Sequence, residues 1–165
     1  MISPSDTAWI LVCSAMVLLM TPALAFFYGG LVRSKNALNT MMMSFIAMSV
    51  AGVLWPVIGY SLAFGEGSAF IGDLSMVFAR GIDLEAKGTI PHLLFFAFQG
   101  TFAIITAALV SGAVVGRMRF GAYVAFITAW ILLVYAPVTH WVWGGGWVDE
   151  VLGALDFAGG AVVHV

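Results

Sequence analysis

The stretch PHLLFFAFQGTFAIITAALVSGAVVG, residues 91–116, contains no Asp, Glu, Lys or Arg. A helix needs about 20 mainly apolar residues to cross a lipid bilayer, and this stretch is long enough. Pro91 favours a helix start at this point, because a residue in the first turn has no helical acceptor for its N–H group. We therefore predict that residues 91–116 form a membrane-spanning helix.

Similar apolar runs on both sides of residues 91–116 predict a bundle of membrane helices. Pro22 and Pro56 lie inside two of these runs and predict kinks, since neighbouring helices can re-satisfy the carbonyl groups that a proline frees. The fold class we predict is an all-α polytopic helical bundle of four full spans and a truncated fifth, which begins at the N-cap residue Asp156. The other full spans are residues 7–32, 37–64 and 120–143, and the truncated span is residues 156–165.

The composition also indicates a membrane environment. Hydrophobic residues make up 62% of the chain and charged residues 8%, whereas about a quarter of the residues in a soluble domain are charged. No basic cluster suggests nucleic acid as a partner. Cys13 is the only cysteine, which excludes an intrachain disulfide and a zinc site built from cysteines. The N-terminus lacks the basic segment of a signal peptide, so we expect a retained first helix.

The charges predict how the helices are oriented. Arg33 and Lys35 follow the first predicted span, and Arg117 and Arg119 lie between the third and fourth. The positive-inside rule then places these two loops in the cytoplasm and the N-terminus outside the plasma membrane. We expect the outer connection, residues 65–90, to hold a short surface helix. All eight acidic residues fall on the outer side or at its membrane edge: Asp6, Glu66, Asp73, Asp83, Glu85, Asp149, Glu150 and Asp156.

His164 is the ionisable residue that lies deepest in a predicted span. Counted from Asp156, it lies about 12 Å into the membrane at about 1.5 Å per residue. An ionisable side chain at that depth is costly and by default marks a functional site. The alternative is a neutral imidazole that only hydrogen-bonds a neighbouring helix. His92 and His140 lie near the predicted outer ends of their spans, where we expect water to satisfy them.

Aromatic residues recur near the outer ends of the third and fourth spans. Phe98 and Phe102, four residues apart, share one face of a helix, and Trp143 precedes three consecutive glycines that break the fourth span. A packing stripe and an interfacial aromatic belt are the alternative interpretations of these residues. An irregular backbone at membrane depth is tolerated mainly beside protein or a water-filled cavity, where aromatic faces attract a small cation.

Together these residues predict a path for a small cation. The cation would pause at Phe102 and Trp143, a phenylalanine plug would exclude bulk water, and a neutral His164 would line a narrow apolar path beyond it. Full desolvation of an ion in that path would cost many kcal/mol. A solute that gives up its proton and crosses as a neutral molecule largely avoids this cost, and ammonium is the obvious small solute of that kind.

Four segments of the chain carry a resemblance to a known family. The chain resembles the N-terminal part of the ammonium transporter (Amt/Mep/Rh) family, most closely the bacterial Amt type. One segment alone would be weak evidence, but four in the family's order and on the same topology are specific. The segments are TPALAFFYGGLVRSKN (21–36), FAFQGTFAIITAALVSGAVVGRMRF (96–120), APVTHWVWGGG (136–146) and LDFAGGAVVHV (155–165).

The resemblance implies a role for each candidate residue. It implies that Phe102, Trp143 and Asp156 bind ammonium at an outer site, and that Asp156 serves recruitment and deprotonation. Phe98 and Phe102 would form the gate, and His164 would be the first of two pore histidines. The resemblance also implies eleven helices in two inverted repeats, a homotrimer with one pore in each subunit, and a cytoplasmic PII-type regulator that can plug the pore.

Several parts of the family's plan have no counterpart in these residues, namely the second pore histidine, the second gate phenylalanine and the outer-site serine. We therefore expect the chain to be part of a longer transporter and not a working half-channel. No chemistry beyond proton transfer is needed, so we expect no enzymatic activity, no cofactor and no metal. Three alternatives to transport stay open: an ammonium sensor of the same family, a structural subunit in which His164 and the aromatic residues only pack, and a channel for another neutral solute such as water or urea.

Overall fold

Long helices build almost the whole molecule. The computed structural model describes all residues from Met1 to Val165. Four helical stretches are long and apolar enough to cross a membrane, namely Pro4–Leu31, Ser34–Phe64, His92–Val114 and Phe120–Glu150. These stretches confirm the predicted all-α bundle with four full spans. In chain order the helices are α1 (Pro4–Leu31), α2 (Ser34–Leu54), α3 (Tyr60–Phe64), α4 (His92–Val114), α5 (Phe120–Trp130), α6 (Ala136–Trp143) and α7 (Trp147–Glu150).

Helix α1 begins where the sequence provides a cap. The Ser3 side chain accepts a hydrogen bond from the N–H of Asp6 (3.3 Å), and Pro4 occupies the first turn. The helix therefore starts at Pro4, whereas we predicted that the span starts at residue 7. Only 11% of the residues in its most apolar 18-residue segment are buried. Helix α1 therefore lies at the edge of the bundle and turns most of its side chains outwards.

Two of the spans contain a wider helical turn at a proline. A π-helical turn, Trp55–Gly59, joins α2 to α3 and contains Pro56. A second π-helical turn, Ile131–Tyr135, joins α5 to α6 just before Pro137. A proline has no N–H group, and its ring collides with the carbonyl four residues earlier. The wider turn makes room for the ring, so the kink predicted at Pro56 takes the form of a π turn.

Helix α4 is the central element of the bundle. It is the most buried of the four spans, because 56% of the residues in its most apolar 18-residue segment are buried. It contacts both α1 and α2. Small residues let these backbones approach closely, and a Cβ at Gly112 would lie 2.8 Å from the ring of Tyr28. The apolar core between α2, α4 and α5 consists of Met43, Ala47, Ala51, Ala107, Ala108, Tyr123, Ile127 and Ile131.

The outer connection, residues 65–91, does not contain the surface helix that we expected. Gly81 and Gly88 both adopt a positive φ, which interrupts any longer helix in this segment. The N–H of Ser3 donates to the carbonyl of Thr89 (2.8 Å), so the N-terminus lies at the same end of the bundle. The regular elements of the connection are a 3-10 turn (Val77–Ala79) and an antiparallel hairpin of β1 (Ala86–Lys87) and β2 (Ile90–Pro91).

The last residues do not form the truncated fifth α-helix that we expected from Asp156. Residues 153–158 are irregular, and a single turn follows, in which the N–H of Val163 donates to the carbonyl of Gly159 (2.9 Å). Gly159 has a φ of +77°, in the left-handed region, so the chain cannot run as one right-handed helix through this residue. Val162 and Val163 pack into the core and hold the turn in place.

Candidate functional site

Three aromatic side chains from α4 and α6 meet near the outer end of the bundle. The ring centroids of Phe98 and Phe102 lie 5.0 Å apart with an interplanar angle of 82°. Those of Phe102 and Trp143 lie 5.9 Å apart with an angle of 68°. Both pairs are edge-to-face, an arrangement favoured by the ring quadrupoles. The structure therefore brings together the three aromatic residues that the sequence predicts for the gate and the outer site.

The three glycines after Trp143 let the end of α6 pack closely against the end of α3 and the outer connection, where a Cβ at Gly146 would lie 2.9 Å from the carbonyl oxygen of Ala69. A Cβ at Gly144 would collide with the carbonyl oxygen of Ala63, and one at Gly146 would lie 2.6 Å from the Cα of Trp141. Gly145 adopts a φ of +80°, which a residue with a side chain rarely adopts. The glycines are thus required by space and by backbone conformation, and they fix the position of Trp143.

Asp156 joins the aromatic residues through its backbone and caps the last turn through its side chain. The indole N–H of Trp143 donates to the backbone carbonyl of Asp156 (2.9 Å). The carboxylate accepts hydrogen bonds from the backbone N–H groups of Gly160 (2.7 Å), Ala161 (2.9 Å) and Val162 (3.0 Å). Partial burial raises the pKa of Asp156, but these N–H donors outweigh it and leave the pKa below its ordinary value. Asp156 is therefore a fixed negative charge beside Trp143.

These residues line one cavity of about 480 Å³, which we call the aromatic cavity. Ten of its 14 lining residues are hydrophobic, six of them aromatic, and it contains two carboxylates but no lysine or arginine. No group of three or more His, Cys, Asp or Glu side chains in the structure is arranged to hold a metal ion. Its lining residues are Phe64, Phe95, Phe98, Gln99, Phe102, Val142, Trp143, Asp149, Ala154, Leu155, Asp156, Phe157, Ala158 and Gly159.

His164 does not line the aromatic cavity. Its side chain is exposed, whereas its neighbours Val162 and Val163 are buried against the aromatic residues. The structure therefore brings Phe98, Phe102, Trp143 and Asp156 together but leaves His164 apart from them. The role of His164 in lining a pore stays a prediction.

The other two histidines are not in the water-facing positions that we expected. His140 is only 2% exposed, and its Nδ1 and Nε2 lie 3.0 Å and 2.7 Å from the carbonyl oxygens of Ala63 and Ser68. His92 is half-buried, and its Nε2 lies 2.7 Å from the hydroxyl oxygen of Tyr60. The expectation was wrong because α3 supplies Tyr60 and Ala63 as partners and the outer connection supplies Ser68.

Two further residues of the aromatic cavity were missed by the sequence reasoning. Asp149 supplies the second carboxylate, and Gln99 supplies an amide whose oxygen is buried without a hydrogen-bond partner. Gln99 could have been found from the sequence, because it is an amide next to Phe98 on an otherwise apolar helix. Asp149 could not, because its place depends on the turn at the three glycines.

Comparison with known proteins identifies the family. Residues 8–165 match the Ammonium Transporter Family. The chain belongs to this family. An ammonium transporter of Bacillus subtilis is 51% identical over 163 residues, which is 97% of this chain and 40% of the relative. An ammonium transporter of Aquifex aeolicus is also 51% identical, over 97% of this chain and 38% of the relative.

Solved structures agree with this family assignment. The crystal structure of Candida albicans Mep2 has a TM-score of 0.90 at 40% identity and covers 98% of this chain and 36% of its own. A structure described as a sensor Amt protein has a TM-score of 0.87 at 28% identity and covers 96% of this chain and 40% of its own. The chain thus corresponds to an N-terminal part of ammonium transporter family proteins and spans about two fifths of their length.

The family assignment bears on two general expectations, membrane location and enzymatic activity. The family and the four apolar helices make this chain part of a multi-pass membrane protein. The bacterial relatives are named as transporters, not as enzymes, so the expectation of no enzymatic activity is confirmed.

Proposed function

We infer that the protein to which this chain belongs transports ammonium across the plasma membrane, and that the aromatic cavity is its outer cation site. The observation that carries this proposal is the convergence of Phe102, Trp143 and the Asp156 carboxylate on one cavity. Aromatic faces attract a cation through their quadrupole, by about 0.5–2 kcal/mol for each good contact. A fixed carboxylate adds a favourable Coulomb interaction that a neutral solute such as water or urea would not experience.

The proposal continues with loss of a proton on the outer side of the gate. The proposal takes the edge-to-face pair of Phe98 and Phe102, which lines the cavity, as the gate where a passing ion would lose its hydration. Ammonium avoids this cost when one N–H bond breaks, the proton passes to water in the cavity and neutral ammonia moves on. His164 then lines the apolar path beyond the gate as a neutral imidazole.

The orientation and the partners belong to the same proposal. The N-terminus and the outer connection share one end of the bundle. At the other end the two basic loops are neighbours, because a Cβ at Gly116 would lie 3.3 Å from Nδ2 of Asn36. The positive-inside rule puts this basic end in the cytoplasm. There a PII-type regulator would dock, and the outward-facing side chains of α1 would meet lipid or the other subunits of a homotrimer.

Uptake of methylammonium by the full-length protein tests the function. Trp143→Leu removes one cation–π contact and should raise the KM by about 2- to 30-fold, since that contact is worth about 0.5–2 kcal/mol. Trp9→Leu is the matched control, because Trp9 is 68% exposed on α1 and does not line the cavity. An unchanged KM in Trp143→Leu, or an equal change in Trp9→Leu, would contradict the proposal.

An ammonium sensor is the second candidate, and the likeness to the solved sensor Amt protein favours it specifically. A sensor and a transporter can share the cation site, because binding needs the aromatic cavity in both. They differ in turnover. Saturable uptake in proteoliposomes that contain only the purified full-length protein would support transport, whereas methylammonium binding without uptake would support the sensor.

A further inference from the structure

The ammonium group of Lys87 sits in a cage of aromatic rings beside the aromatic cavity. Its Nζ lies 4.8 Å from the ring centroid of Phe95 and 5.6 Å from those of Tyr60 and Phe64. These distances are within the range in which a cation is attracted to an aromatic face. The side chain is half-buried, although it lies in the outer connection, on β1.

No carboxylate neutralises this charge. The only hydrogen bond of Nζ is to the hydroxyl oxygen of Tyr60 (3.2 Å). Because an ammonium group can only donate, the Tyr60 oxygen accepts this bond and can still donate its own hydrogen to Nε2 of His92. Asp6 lines the same shallow surface pocket as Lys87, but no hydrogen bond joins the two side chains. The positive charge is thus held in place without an ion pair.

Two rings are shared between the lysine cage and the aromatic cavity. Phe64 and Phe95 line the cavity and also lie against Nζ of Lys87. A cation in the cavity that touches the Phe95 ring lies within about 6 Å of its centroid, and hence within about 11 Å of Nζ. At that separation two positive charges repel each other enough to weaken binding by about three- to tenfold, for an effective dielectric constant of about 20–40.

We propose that Lys87 sets the cation affinity of the aromatic cavity: its fixed ammonium group, held on rings that also line the cavity, lowers that affinity. This proposal depends on one part of the proposed function, namely that the aromatic cavity binds a cation. It makes Lys87 an affinity-setting residue outside the cavity lining. The charge opposes the attraction of Asp149 and Asp156 and keeps a small cation from binding too tightly to move on.

Isothermal titration calorimetry with methylammonium on the purified full-length protein tests this inference. Lys87→Met removes the charge and keeps an unbranched apolar side chain in the cage, so the Kd should fall about three- to tenfold. Lys87→Arg restores a positive charge and should return the Kd to within about twofold of the wild-type value. Arg80→Gln is the matched control, since it removes a positive charge from an exposed side chain of the same connection and should leave the Kd unchanged.

The outcomes separate this inference from the proposed function. A Kd in Lys87→Met equal to the wild-type value would overturn the inference. A Kd in Lys87→Arg as low as in Lys87→Met would also overturn it, because it would point to the geometry of the cage instead of the charge. Binding without uptake would refute transport, yet the ratio of the Kd values would still decide the role of Lys87. A wild-type protein that binds no methylammonium would overturn both.

Discussion

At the scale of single residues, Asp156 shows how one carboxylate serves both structure and electrostatics. It lies outside the four membrane-spanning helices, and its oxygens accept three backbone N–H groups of the last turn. Its charge therefore contributes both to the order of residues 159–163 and to the field in the aromatic cavity. The two roles can be measured separately, because hydrogen exchange of those N–H groups reports the order of the turn in the absence of any ligand.

Asp156→Asn should increase hydrogen exchange in residues 160–162 at neutral pH. Asparagine retains only one acceptor oxygen and no charge, so the N–H groups of Ala161 and Val162 lose their partner. Exchange measured by mass spectrometry on the full-length protein checks this expectation. Asp149→Asn is the control, because Asp149 lines the same cavity but does not cap the turn. Equal protection in wild type and Asp156→Asn would show that the turn does not depend on the carboxylate.

The pH dependence of the same turn has a defined sign. The pKa of Asp156 is lowered in the folded protein, because N–H donors outweigh the opposing effect of partial burial. The stabilisation is then complete above the ordinary carboxyl pKa of about 3.9 and is lost as the pH falls through the lower folded value. Exchange protection of residues 160–162, corrected for the intrinsic rate, should stay constant from neutral pH down to about 4 and fall only below it. Loss of protection near pH 6 would contradict this cause.

At the scale of elements, the glycines at the end of α6 are required for two different reasons. At Gly144 the reason is space, because its φ of −100° is ordinary but a Cβ would collide with the carbonyl oxygen of Ala63. At Gly145 the reason is conformation, because φ is +80° but the nearest atom to a Cβ is 3.8 Å away. The motif thus lets α6 pack against the end of α3 at Gly144 and turns the chain at Gly145.

Gly144→Ala should therefore destabilise the protein more than Gly145→Ala. The left-handed conformation costs a residue with a side chain about 1–2 kcal/mol, whereas the collision at residue 144 forces two backbone segments apart and should cost about 3 kcal/mol or more. Thermal unfolding of the two full-length variants in detergent, side by side, checks the order. A Tm for Gly144→Ala at or above that for Gly145→Ala would show that α3 yields easily at this contact.

The elements also show what the sequence can and cannot predict. The four spans follow from apolar runs, and the pairing of Phe98 with Phe102 follows from helical spacing, so both are local properties. The partners of His140 are not local, because Ala63 comes from α3 and Ser68 from the outer connection, both distant in sequence. The fifth helix was expected from the N-cap residue Asp156, but the left-handed Gly159 interrupts it. Glycine conformation and long-range contacts account for the expectations that were wrong.

At the scale of the whole molecule, the charges and the aromatic residues are divided between the two ends of the bundle. The aromatic cavity and the lysine cage both adjoin the outer connection, and the basic loops lie at the other end. The proposed function assigns cation selection to the outer end, and the positive-inside rule assigns the basic end to the cytoplasm. In the proposed function, the pair Phe98 and Phe102 is the gate at which an ion would have to leave its water.

His164 is the residue whose role depends most on the whole molecule. Within residues 1–165 its side chain is exposed and has no hydrogen-bond partner, so His164→Ala removes no hydrogen bond within this part of the protein. If the imidazole lines the ammonia path, the same change should alter methylammonium uptake markedly while the proposed homotrimer still assembles. Uptake in proteoliposomes, together with light scattering of the purified full-length variant, measures both. Normal uptake with impaired assembly would assign His164 to packing between helices, because an imidazole that only ties helices together affects the oligomer and not the conduction step.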